Sequence, residues 1–267
     1  MSVHERLSRA IRNNEPIMLG SFWQEKNGET WGKTPIEWIV IKKNVVPYTT
    51  GRNTYTLELI SKKVLYFSKW GIGYLGTSKY CPVPIEATWL TSCIREKLQE
   101  QFEVIFDEDE RTFIQEIPAN LDCIYDEKTR IVSNTSYDAI VNSSMATTWK
   151  ERLLAKDKLY LLPNNHEKFN EIRELARAGQ ISSKDEHESE PTEFAAQMGY
   201  LFGESCKSPG GVEYWTKTVV RNWNTSDPNE IEIGRICGLV SGGGARSPEK
   251  IAGIRPCITI EVTVIEE

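Results

Sequence analysis

Apolar and polar residues alternate strictly through Cys257–Ile265, where Ile258, Ile260, Val262 and Val264 are separated by Thr259, Glu261 and Thr263. A period of two sends one set to a core face and the other to solvent, so this segment predicts a half-buried strand. Pro35–Ile41 and Tyr55–Ser61 are rich in β-branched and aromatic residues and flank a polar stretch containing Gly51, which predicts a β-hairpin. Lys158–Leu162, ahead of Pro163, reads as a buried strand, and Ile231–Val240 reads as another. Elsewhere the period is helical. Leu90, Ile94, Leu98 and Phe102 recur every four residues and predict a helix over about Thr88–Phe102 with one apolar stripe. Leu7, Ala10 and Ile11 predict a short amphipathic helix over 3–13, ended by Asn13–Pro16. Asp107 and Glu110 have capping-box spacing ahead of Phe113, Ile114 and Ile117, which predicts a second, shorter helix stopped by Pro118. Asn165 is placed to cap a helix over 166–178 that Gly179 would end.

Between these elements, Trp70–Pro84 is rich in Gly, Pro and aromatics without periodicity, as in an ordered surface loop, and Ser182–Glu190 is an acidic polar run expected to be solvated. No repeat or linker divides the chain, so 1–267 is read as one α+β domain. With 267 residues, 39% hydrophobic and 26% charged, eight Trp and ten Tyr, it is long and apolar enough to fold around a core of its own. The formal net charge of −6 lacks the basic excess that phosphate contacts require, which disfavours nucleic acid and favours a protein partner or small ligand. The N-terminal MSVHERLSRAIRNNEP has no signal-peptide core and no run is long enough to span a bilayer; a cytoplasmic protein is expected. The six cysteines are dispersed and form no CxxC pair, so structural thiols are expected.

The chemistry-bearing residues are sparse. His4, His166 and His187 are isolated and no HExxH occurs, so neither a metal nor a cofactor is expected. No GxSxG nucleophile signature is present, and Ser241–Arg246 (SGGGAR) lacks the GK[ST] ending of a phosphate loop. The cluster Tyr214, Trp215, Lys217, Arg221, Asn222, Trp223 and Asn224 contains the residue types that make binding hot spots, and these are the candidate ligand-binding residues. For Trp215 and Trp223 core packing is the alternative.

Six short motifs occur in order over roughly residues 15–265: Pro35-Ile36-Glu37-Trp38, Leu57-Glu58-Leu59-Ile60-Ser61-Lys62, Trp89-Leu90-Thr91-Ser92-Cys93-Ile94-Arg95, Leu159-Tyr160-Leu161-Leu162, Tyr214-Trp215 and Gly253-Ile254-Arg255-Pro256. In this the chain resembles a bacterial and phage domain family of unknown function. That family is similar, through its W…G-[VI]-R-P ending, to the C-type-lectin-like fold of formylglycine-generating enzymes and retroelement-diversified ligand-binding proteins. The resemblance implies a twisted antiparallel sheet flanked by two main helices, with long loops carrying the ligand surface. It also implies structural roles for Trp38, Trp89, Arg95 and Arg255, the last anchoring the core through hydrogen bonds. The expected function is a non-enzymatic recognition module using loops within about 205–257, helped by Trp70–Tyr80. The alternatives are a thiol and copper oxidase of the formylglycine-generating type using Cys237 and Cys257, and a structural or assembly component of a phage particle or complex.

Overall fold

The computed structural model describes residues 1–48, 51–69, 89, 92–119, 125–126, 131–132, 154–162, 190–201, 214–221, 231–236, 245–246 and 251–265. The chain opens with helix α1 (Val3–Asn13), which starts where Ser2 and Glu5 satisfy each other's backbone N–H groups: the Ser2 hydroxyl accepts from Glu5 N–H at 3.2 Å, and the Glu5 carboxylate accepts from Ser2 N–H at 2.7 Å. It ends at Asn14, whose left-handed backbone (φ 55°) turns the chain. Leu7, Ala10 and Ile11 form its buried face.

Four strands make the first sheet, in the order β1 (Ile17–Asn27), β2 (Thr30–Tyr48), β3 (Arg52–Ser61) and β13 (Cys257–Ile265), antiparallel throughout. The predicted hairpin lies within β2 and β3 and extends further on both strands, with Gly51 at φ 71° in the turn. Along β13, Ile258, Ile260, Val262 and Val264 are buried, whereas Glu261, Thr263 and Ile265 are exposed. The period of two therefore holds to the last residue of the strand.

The second sheet has the order β11 (Ala245–Arg246), β10 (Ile231–Ile236), β9 (Tyr214–Arg221), β12 (Ile251–Ile254) and β4 (Tyr66–Lys69), with β12 and β9 running parallel at Gly253 and Tyr214. Two small antiparallel pairs join β5 (Ile117–Pro118) to β8 (Lys156–Asp157) and β6 (Tyr125–Asp126) to β7 (Ile131–Val132). The fold is thus mixed α+β and dominated by strands, with a curled antiparallel sheet and few helices. The predicted helix 166–178, the loop Trp70–Pro84 and residues 182–189 of the acidic run lie outside the described residues.

Helix α2 (Cys93–Ile105) is shifted from its predicted bounds because Ser92 caps it: the Ser92 hydroxyl accepts from Arg95 N–H at 3.2 Å. Ile94, Leu98, Phe102 and Ile105 form its buried stripe. Its last turn contains no basic residue, and cations from elsewhere serve its carbonyls: Lys33 donates to Val104 O at 2.9 Å and Arg111 to Glu103 O at 2.8 Å. Helix α3 is a single turn, Glu108–Arg111, started by the Asp107–Glu110 capping box. The expected continuation through Ile117 does not form, because β13 offers Phe113–Gln115 an open edge. Gln115 N–H donates to Thr259 O at 2.8 Å, and Glu261 N–H donates to Phe113 O at 2.9 Å. Leu159–Leu162 is buried as expected, yet the chain bends at Lys158 and Leu159, and the segment meets β13 through one bridge, Tyr160 to Cys257, and forms no ladder strand. Helix α4 (Glu193–Leu201) packs on β1 and β4.

Gly20 shows how tightly these parts close. It sits at a β1 irregularity between Met18 and Ser21 with φ 68°, and its N–H donates to the Glu110 carboxylate at 3.0 Å. A Cβ there would lie 2.7 Å from the Phe106 ring and 2.8 Å from Ile105 Cγ2. Gly28, in the β1–β2 turn, has a similar φ of 64° with nothing within 4 Å of the corresponding Cβ. Gly28→Ala is therefore expected to cost about 1–2 kcal/mol from backbone strain alone. Gly20→Ala adds the overlap and should cost about 2–3 kcal/mol or more. Urea unfolding of the two variants measures the difference.

Candidate functional site

The chain passes between the two sheets twice, from β3 to β4 and from β12 to β13, and the two crossings run side by side. Ser61 N–H donates to Pro256 O and Leu65 N–H to Ile254 O, both at 2.9 Å. Arg255 lies at this junction with its side chain buried. Its Nε donates to Ser61 O at 2.7 Å, its Nη1 donates to the Tyr214 hydroxyl oxygen at 3.3 Å, and the guanidinium lies 5.2 Å from the Tyr214 ring centroid. A guanidinium keeps its charge in a core, so burying one costs heavily unless the fold supplies acceptors in the plane of its fork. Here the acceptors come from the end of β3 and the start of β9, which ties both sheets to one side chain.

Strand β9 carries the first part of the predicted ligand cluster, and its placement corrects the expectation of exposed contact residues. Tyr214, Trp215 and Lys217 are each 1% exposed. Trp215 Nε1 donates to Ser68 O at 2.8 Å, Lys217 N–H donates to Leu162 O at 3.0 Å, and the Lys217 ammonium lies 5.7 Å from the Tyr160 ring centroid. The physical reason is that other segments cover β9 here: the Arg255 guanidinium lies on the Tyr214 ring, and Tyr160 and Leu162 lie against Lys217. Arg221 ends β9, paired with Ile231. Asn222, Trp223 and Asn224 lie outside the described residues, as do Cys237 and 241–244 of the Gly-rich segment. Residues 222–230 connect Arg221 to its cross-strand partner Ile231, and residues 237–244 connect β10 to β11, themselves paired through Gly234 and Ala245.

Trp38, Trp89 and Arg95 each serve a buried partner. Trp38 Nε1 donates to Leu19 O at 2.7 Å. Trp89 Nε1 donates to one Asp157 oxygen at 2.6 Å, and Arg95 Nε donates to the other at 2.8 Å. Asp157 is 1% exposed, and burial pushes its carboxyl above the usual aspartate range against the opposing pull of Arg95 and the Trp89 N–H. Burial likewise pushes the Tyr160 hydroxyl well up, aided by the neighbouring Glu58 and Cys257. That hydroxyl donates to the Glu58 carboxylate at 3.1 Å. The Tyr66 hydroxyl, also pushed up by burial, has no hydrogen-bond partner among the described residues.

Among the described residues these groups serve one another within the core. Neither Cys93 nor Cys257 is in a disulfide, and Cys257 is fully buried on β13. Among the described residues no group of three or more His, Cys, Asp or Glu side chains is placed to hold a metal ion, and no helix is long and apolar enough to cross a membrane. An open cleft of about 460 Å³ between α1, β1 and the α2–α3 corner is walled by groups that already serve one another, among them Glu110, which accepts from Gly20 N–H and from Arg6 at 3.4 Å.

Sequence reasoning missed a half-buried aromatic group at the β1–β2 turn. Trp31 meets Phe194 of α4 edge-on at 5.2 Å, Trp23 lies 6.4 Å from the same ring, and the Lys33 ammonium sits 4.7 Å from the Trp23 centroid. The signal was Asn27-Gly28, a strong hairpin dipeptide whose turn brings Lys26 opposite Trp31 and Trp23 opposite Lys33. Comparison of the chain with protein-family models, with curated proteins and with solved structures finds no match.

Proposed function

We propose that the chain is a non-enzymatic recognition module of C-type-lectin-like architecture, which binds a protein or small ligand through the segments joining β9, β10, β11 and β12. The observation that carries this reading is the anchoring of those strands: Tyr214, Trp215, Lys217 and Arg255 are all buried. Loops serve recognition when a rigid scaffold holds their ends. The crossing at Gly253-Ile254-Arg255-Pro256 and the helices packed on an antiparallel sheet support the lectin-like reading of the fold. Burial of Cys257 weighs against the thiol oxidase.

Within the predicted cluster, Trp223 and its neighbours Asn222 and Asn224 become the contact residues, since Tyr214, Trp215 and Lys217 are committed to the core. The test is affinity capture from host lysate with mass spectrometry, followed by binding of the purified partner to Trp223→Ala. Affinity is expected to fall at least about tenfold, as for an aromatic hot spot, with unfolding unchanged. Unchanged affinity in a folded Trp223→Ala protein removes the assignment. Oxidation of a cysteine-containing peptide by the purified protein would establish the enzyme instead.

A further inference from the structure

No further inference is drawn: the strongest candidate, the half-buried aromatic patch of Trp23, Trp31 and Phe194 where the β1–β2 turn meets α4, carries none, because nothing in the structure shows what covers it.

Discussion

Asp157→Ala is expected to lower the unfolding free energy by about 3–4 kcal/mol, read as a shift in the urea midpoint at neutral pH. The carboxylate is the shared acceptor for Trp89 Nε1 and Arg95 Nε, the first fully buried and the second 20% exposed on its side chain. Truncation strands both donors. The raised carboxyl pKa is consistent with this loss: burial makes the charged pair a poor net stabiliser, yet removing one member leaves the other without its partner. The pH dependence follows from the direction of the shift. An acid whose folded pKa lies above its unfolded value of 3.8 binds its proton more tightly in the folded state, so its contribution is most favourable at low pH and declines as pH rises through the folded value. Relative to Asp157→Asn, which does not titrate, the wild type should therefore lose stability as pH is raised from about 4 toward 7. A difference that instead grows with pH would mean that pairing with Arg95 outweighs burial.

Trp215→Ala should cost about 3–5 kcal/mol, and a chain of this length should lose roughly 6–20 °C in Tm. The indole is 1% exposed, and its N–H holds Ser68 O across the second sheet, so truncation opens a cavity and removes that hydrogen bond. Differential scanning calorimetry measures the loss. Set against Trp223→Ala, the result separates scaffold from contact surface: the first variant should fail by unfolding, the second by losing its partner while staying folded.

How far the sequence could be read depended on whether an element's environment was local. β13 was legible because the strand has one face in the core and one toward solvent, a condition written into a period of two. α1 was legible because its buried face, Leu7, Ala10 and Ile11, recurs at helical spacing within the segment itself. The helix expected beyond Asp107 failed for a non-local reason: the β13 edge, more than a hundred residues away in sequence, offered Phe113–Gln115 better backbone partners than their own turn did. The candidate site failed in the same way at Tyr214, Trp215 and Lys217. Aromatic and basic residues mark binding surfaces and buried junctions alike, and only the non-local segments that cover β9, carrying Arg255, Tyr160 and Leu162, distinguish the two. The aromatic group at Trp23 and Trp31 was readable from Asn27-Gly28, but its third member, Phe194, comes from a helix that no local pattern connects to that turn.

The pairing of β3 with β13 also shapes how the protein is made. Ser61 and Arg255, joined at the sheet junction, are 194 residues apart along the chain. At the usual pace of translation, roughly 10–40 s pass between the emergence of one and the other. Throughout that interval β3 carries Leu57, Leu59 and Ile60 beside an edge whose permanent neighbour has yet to be synthesised. The first sheet therefore closes only once β13 has been made, and until then β3 lacks the strand that completes its edge.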